Sequence, residues 1–406
     1  MIAKSSPRIL LVTAHCPHGP TYGAQLRTLH IARALKRCGD LGIAMFPFGP
    51  LSAEAVRRTA EEFKVAGTFH LSERACRSMA ARLKREFDPY SADTEGKRLG
   101  TKDSERFEAL CRDYDLIWFQ GVALPNCLGR KEWERSVLDI DDVPSLCYIG
   151  KAREAQDAWA RMKAKRKVIQ WKRREAVLLD RFSILTVCSE EDRRYFGGSE
   201  RVRVIPNGFQ VIPDQPRNPA KGGRVGFIGT LKYAPNLDGL KWFIDHVWPL
   251  VREKDPEARL RVVGASSDVQ VGDADAGIDE LGFVDDTAGE IATWSLMVVP
   301  ILVGGGTRIK IAEAFSRRCP VVATRQGAYG YTLRNGGECF LADDASAFAA
   351  ACSALIQDEP LGRAMAERAR VMFDRELSWD AIEPRIVRAV DACLQLNPTG
   401  AECATT

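Results

Sequence analysis

Long apolar runs are missing from this sequence. No stretch approaches the roughly 20 apolar residues that a membrane-crossing helix needs. The first run, residues 9–12 in RILLVT, is too short for the core of a secretory leader and reads as a buried strand. Charge of one sign is equally scarce: 58 Lys plus Arg stand against 54 Asp plus Glu, and a net charge of +4 over 406 residues gives no general basis for holding nucleic acid. The 12 cysteines form no CxxC pair and no Cys/His cluster at zinc spacing, which sets aside a disulfide scaffold and a zinc module and fits reduced thiols in a cytoplasmic protein. No internal repeat of about 20–50 residues and no low-complexity block interrupts the chain. No strand candidate runs into G-x-G-x-x-G with an acidic residue about 20 positions on, which argues against a nicotinamide dehydrogenase.

What remains is the composition of a packed, soluble protein, 45% hydrophobic and 28% charged with a mean hydropathy of -0.20, long enough for two or three domains. RILLVTA, a Gly/Pro-rich loop and AQLRTLHIARALKRCG, with Leu26, Leu29, Ile31, Ala32 and Leu35 on a broad face, predict strand, loop and helix. GIAMFPF, DLIWFQG, SVLDIDD and SILTVCS follow as further strands between helix-length segments, the rhythm of a parallel sheet covered by helices. That α/β domain is expected over residues 1–205. Pro206, Pro213, Pro216 and Pro219 mark a linker. A second α/β domain over 206–376 runs through RVGFIGT, a helix in LDGLKWFIDHVWPLVREK, ARLRVVGA, IDELGFV, LMVVPIL, the helix TRIKIAEAFSRR and PVVAT. A helix over 377–396, with Ile382, Ile386, Val390 and Leu394 at helical spacing and Pro384 in its first turn, is expected to pack back on the first domain, before a disordered tail at 397–406.

Parallel α/β sheets hold ligands beyond the carboxyl ends of their strands, so the post-strand loops and the cleft between the two domains are the places to search. In PILVGGGTRIKIAEAF, Gly304, Gly305 and Gly306 allow an anion close to the backbone, Thr307 leads into a helix with unpaired N–H groups, and Arg308 and Lys310 supply positive charge. Glu313, about two turns on, suits vicinal hydroxyls such as those of a ribose. Gly229 and Gly264 each end a predicted strand, either to admit a ligand or to make a tight turn. The pair His15 and His18, in a Pro-rich loop, gives little support to a metal. Asp139, Asp141 and Asp142 end a strand, where Asp141 orients an acceptor or a carboxylate caps the next helix. The basic run 159–174, WARMKAKRKVIQWKRR, reads as a solvated helix with its aromatic residues in the core, or else as a face for an anionic membrane.

GGGTRIKIAEAFSRRCPVVATRQGAYG resembles the donor segment of GT-B glycosyltransferases of family 4, the group 1 glycosyl transferases. GFIGTLKYAPNLDGLKWFIDHVWPLV, then ARLRVVG and LGFVDD, is similar to the branch with a Pro-Asn-x-Asp turn. VCSEEDRRYF and VIPNGF resemble the segment entering the linker, and Tyr22, Gly23 and Arg27 resemble the acceptor-side glycine loop. The resemblance implies two Rossmann-like parallel-sheet domains facing a cleft, acceptor-side first and donor-side second. It also implies a retaining, metal-independent transfer of a sugar from a nucleotide diphosphate sugar, with UDP or GDP as the nucleotide, to a saccharide or lipid-linked acceptor. The setting it implies is bacterial surface polysaccharide or glycoconjugate synthesis; the cysteines and the basic run add the expectation of a cytoplasmic protein with peripheral contact at the inner membrane. Glu313 falls at the second glutamate of the family's E-x7-E motif, which holds the ribose, whereas the first falls at Gly305. Thr230 and Asn236 stand where many members place an Arg and a Lys, so Lys232, Arg308 and Lys310 are expected to neutralise the diphosphate, with the amides of 304–307 on sugar or phosphate. Gln120 falls near a histidine that members place beside the donor sugar. The missing first glutamate leaves a second reading, a non-catalytic nucleotide-sugar-binding or scaffold protein on the same fold.

Overall fold

A computed structural model describes residues 6–19, 23–73, 78, 86–91, 97–155, 157–213, 216–264 and 270–396; the expectations for Tyr22 and for the tail 397–406 lie outside the described residues. The chain divides into two compact units, one of residues up to Pro206 together with those from Ile382 onward, the other Asn207–Ala381.

In the first unit the strands are β1 (Arg8–Thr13), β2 (Asp40–Met45), β3 (Lys64–Thr68), β4 (Leu71–Glu73), β5 (Lys97–Leu99), β6 (Leu116–Gln120), β7 (Trp133–Ile140), β8 (Phe182–Val187) and β9 (Val202–Val204). Seven of them form a parallel sheet in the order β3-β2-β1-β6-β7-β8-β9, and β4 pairs antiparallel with β5. The continuous apolar runs of the sequence are the central strands: Ile9, Leu10, Leu11 and Val12 are all inaccessible, as strands covered on both faces must be. Phe46, Phe69 and Phe107 fill one side, with ring centroids 4.9 and 5.0 Å from Phe46.

The second unit repeats the plan with β10 (Arg224–Ile228), β11 (Arg259–Val263), β12 (Ile278–Gly282), β13 (Leu296–Val299), β14 (Val321–Ala323) and β15 (Phe340–Leu341). Its parallel order is β12-β11-β10-β13-β14-β15. In each sheet the order reverses beside the first strand, between β1 and β6 and between β10 and β13, which opens a crevice at the strand ends where ligands bind.

Two expectations need correction. The last helix is Trp379–Gln395 and begins before Pro384, which therefore lies inside it, beyond the first turn; Ser378 Oγ accepts from the Ala381 amide at the start. From Ile382 the helix belongs to the first unit, where Glu383 is ion-paired with Arg37. Arg27 is not open to an acceptor. The helix Gly23–Cys38 turns Arg27 and Thr28 inward, and the guanidinium is fully buried. It donates to Asp139 Oδ2 at 2.9 Å and Oδ1 at 2.6 Å, and to the carbonyls of Ile205 and Pro206. Thr186 Oγ1 completes the carboxylate at 2.6 Å. Burial works against the arginine's charge, but Asp139 outweighs it and holds the pKa above its ordinary value.

Removing one member of a buried pair strands the other. Asp139→Asn should therefore destabilise the first unit by about 3–5 kcal/mol in urea unfolding, and a change below about 1 kcal/mol would contradict this account.

Candidate functional site

The loops at the β10/β13 crevice gather most of the residues singled out in the sequence. Gly229 and Thr230 follow β10, and the helix Ala234–Trp242, with Pro235 in its first turn, brings Asn236 back under them. Asn236 Nδ2 donates to the Thr230 carbonyl at 3.0 Å, and its Oδ1 accepts from Lys310 Nζ at 2.9 Å. Lys310 reaches there from the helix Ile309–Ser316 and lies 4.5 Å from the centroid of the Phe227 ring.

This approach depends on absent side chains. A Cβ on Gly229 would stand 2.7 Å from Asn236 Nδ2 and 3.0 Å from Lys310 Nζ; one on Gly264, at the end of β11, would stand 2.1 Å from the Gly229 carbonyl oxygen. On Gly304 it would meet Arg308 Nη2 at 2.4 Å, and Gly304 and Gly306 have φ of 134° and 68°, where glycine is favoured.

The loop from β13 to the helix is fastened from several sides. Gln326 Nε2 donates to the Gly304 carbonyl at 2.6 Å, Tyr331 OH to the Arg308 carbonyl at 2.8 Å, and the Asn207 amide to Thr307 Oγ1 at 3.2 Å. Arg308 sits at the N-cap without a side-chain cap bond. Its Nη1 donates to the Gly305 carbonyl at 2.7 Å, while Nε and Nη2 are buried without a partner among the described residues. Buried donors left unpaired carry a desolvation cost that an anion would remove.

Burial pushes the Lys310 ammonium down to about 7, with Arg308 adding to the shift and Glu313 opposing it. Burial likewise raises the Glu313 carboxyl above its ordinary range, against the pull of Arg317 and Lys310; Glu313 Oε1 accepts from Arg317 Nε at 3.1 Å. With Arg317 matched to Glu313, Arg308 remains as excess positive charge, joined by Lys310 when that side chain is protonated. Lys232 is exposed on the loop after β10, and Lys310 meets Asn236 beneath Gly229.

In the first unit Gln120 is buried at the end of β6, its Oε1 accepting from Thr13 Oγ1 at 3.1 Å and Thr28 Oγ1 at 2.6 Å. Gly23 is exposed at the start of its helix. Asp141 is half-buried, accepts from Cys188 Sγ at 3.4 Å and offsets part of the burial that lowers the pKa of His15. The capping role expected of the aspartates is filled otherwise: the helix Pro144–Glu154 has no side-chain cap bond, and its Ser145 amide donates to Glu175 Oε1 at 2.9 Å. His18 does have a carboxylate partner, Glu62, at 2.8 Å, too distant in sequence to be noticed. Among the described residues, no three His, Cys, Asp or Glu side chains converge as a metal site.

Residues 222–358, most of the second unit, match the family described as Glycosyl transferases group 1. The chain has the GT-B fold. The structure of Anabaena Alr3699/HepE in complex with UDP is similar at a TM-score of 0.64 and 16% identity, over 95% of this chain and all of that one; HepE is also known in complex with UDP-glucose. WaaG, a glycosyltransferase involved in lipopolysaccharide biosynthesis, is similar at a TM-score of 0.59 and 14% identity, over 93% of this chain and 98% of that one. An uncharacterized 44.6 kDa protein in the cps region of Klebsiella pneumoniae is 26% identical over 141 residues, 30% of this chain. The match spans about a third of that relative's length, 34%. Among the described residues no helix is long and apolar enough to cross a membrane.

The lysine supplies a direct check on the geometry. Its folded pKa of about 7 lies below the unfolded value of about 10.4, so the unfolded chain binds more protons between those limits and stability rises with pH. Relative to Lys310→Met, the native protein should gain stability from about pH 7 to 10; parallel stability curves would show that Lys310 is not held in this environment.

Proposed function

We propose that the chain transfers a sugar from a UDP-sugar to a saccharide or lipid-linked acceptor, with retention of anomeric configuration and without a metal. The observation that carries this reading is the pair of basic side chains, Arg308 and Lys310, at the β10/β13 crevice of a group 1 glycosyl transferase domain. As the bond from the sugar to the diphosphate breaks, negative charge gathers on the leaving oxygen, and fixed cations and loop amides stabilise that charge more than the ground state. Arg308 Nε and Nη2 take phosphate oxygens. Lys310 takes another, steered by Asn236, and Gly304, Gly305, Gly306 and Thr307 offer their amides to phosphate or sugar. Glu313 accepts the ribose hydroxyls, with Arg317 keeping its carboxylate charged.

Gly229 and Gly264 let Asn236, Lys310 and the strand ends close up beside the diphosphate. UDP is the favoured nucleotide because HepE, a structural neighbour, is found with UDP and with UDP-glucose. Family 4 is supported by the GGGTRIK segment and by Glu313, and retention follows from that assignment. Gln120, Gly23 and Asp141 belong to the acceptor-side unit; Gln120, fixed by two threonine hydroxyls, acts there as a polar floor. The setting we propose, bacterial surface polysaccharide or glycoconjugate synthesis, is supported by the relative in a cps region and by WaaG.

A thermal-shift series with UDP, GDP, ADP, TDP and CMP tests the reading. UDP at a hundred times its Kd should add about 2.7 kcal/mol, or roughly 5–10 °C in Tm for a domain of this size. Arg308→Ala should weaken binding roughly 10- to 100-fold, and Glu313→Ala should reduce the shift. Absence of a shift with every nucleotide would overturn the donor site, and UDP binding without release of product from any UDP-sugar would favour a non-catalytic sensor.

A further inference from the structure

The amino ends of the second unit's strands border a cavity of about 730 Å³. Gly223, Glu257, Ser295 and Pro320 line it, each just ahead of a strand: β10, β11, β13 and β14 in turn. Strands of five residues such as β10 and β11, at about 3.3 Å per residue, put it roughly 15 Å from the crevice at their other ends. The helices Ala345–Gln357 and Glu359–Met372 supply an apolar wall in Leu355, Ile356 and Ala366.

The charges around the cavity are only partly matched. Arg318 is ion-paired with Glu367 at 2.9 Å, and Arg363 with Glu359 at 2.6 Å. Lys221 and Lys254 have no carboxylate within ion-pair distance among the described residues. Arg217 donates through Nη2 to the Trp294 carbonyl, while its Nε is buried without a partner among the described residues. On the acidic side Glu257 has no cation, and Asp255, whose Oδ1 accepts from Gln357 at 2.9 Å, keeps Oδ2 buried and unpartnered. Arg318 adds an independent sign. It follows the helix Ile309–Ser316 with a φ of 51°, in the left-handed region where a helix end ordinarily takes glycine. An arginine kept against that backbone preference points to a use for its side chain, and this arginine lines the cavity.

We propose that the cavity is a second ligand site, for a phosphorylated sugar or polyol. A phosphate monoester brings up to about two negative charges and three acceptor oxygens, which suit Lys221, Lys254 and Arg217. Hydroxyl groups then donate to Asp255 and Glu257. A hydrocarbon acid would leave both carboxylates unmet, and inorganic phosphate would fill little of the volume. The inference does not rest on the donor reading, because none of the crevice residues lines this cavity.

Calorimetric titration of the full chain with glucose 6-phosphate, fructose 6-phosphate, glucose and inorganic phosphate tests it. A sugar phosphate should bind, glucose should not, and inorganic phosphate should bind at least about tenfold more weakly. Lys221→Gln and Lys254→Gln should each weaken sugar phosphate binding roughly tenfold, whereas Arg308→Ala should leave it unchanged. Arg318→Gly should weaken it too, yet melt no lower than the native protein, since glycine suits that backbone. Loss of binding in Arg308→Ala would move the sugar phosphate to the donor crevice and overturn the proposal, as would undiminished binding in the lysine variants. Inorganic phosphate bound as tightly as the sugar phosphates would mean an adventitious ion only, and no binding of either sugar phosphate would equally contradict it.

Discussion

The structure of the second unit turns on how closely its strand ends come together. Gly264 lies against the carbonyl of Gly229, Gly229 over Asn236 and Lys310, and Gly304 under Arg308. A side chain at Gly229 or Gly304 would occupy space in which Lys310 or Arg308 stands, and one at Gly264 would strike the Gly229 backbone. Because the glycines are bare, a lysine from the helix Ile309–Ser316 reaches the loop after β10 and meets an asparagine there. Burial first, and then repulsion from Arg308, lower the pKa of Lys310. That arrangement is unfavourable until an anion arrives, which is why it reads as a binding site and not as a device for stability.

The first unit resolves its buried charge in the opposite way. Arg27 meets Asp139 through two bonds, and two carbonyls and a threonine hydroxyl satisfy what remains. Gln120 is likewise fixed by Thr13 and Thr28. Buried polar groups with their partners in place give rigidity; those left short of a partner, as Arg308 is, call for a ligand. The same β-α-β architecture thus yields a closed polar floor in one unit and an open cationic crevice in the other.

Much of the fold was legible in the sequence because buried parallel strands are written as uninterrupted apolar runs: residues 9–12 and LMVV at 296–299 are read directly. The short edge strands β3, β9 and β15 were not, since KVAGT, VRV and FL are too brief or too polar to stand out. At the crevice the glycines, Arg308, Lys310 and Glu313 were legible from local order alone. Partnerships were not: Arg27 and Asp139 are 112 positions apart, Asn236 and Lys310 are 74 apart. Charge in a sequence tells which residues seek partners, and only the fold tells which have found them. Trp159 and Trp171 illustrate the point, one outside and one inside on the same basic helix.

The central claim is that Lys310, largely neutral above its pKa of about 7, becomes the cation that faces a diphosphate. Calorimetry of UDP binding at pH 8, repeated in buffers of different ionisation enthalpy, measures this directly. The account predicts uptake of up to about one proton per UDP bound, absent in Lys310→Met. Binding with no proton exchange, or with the same exchange in the variant, would contradict it.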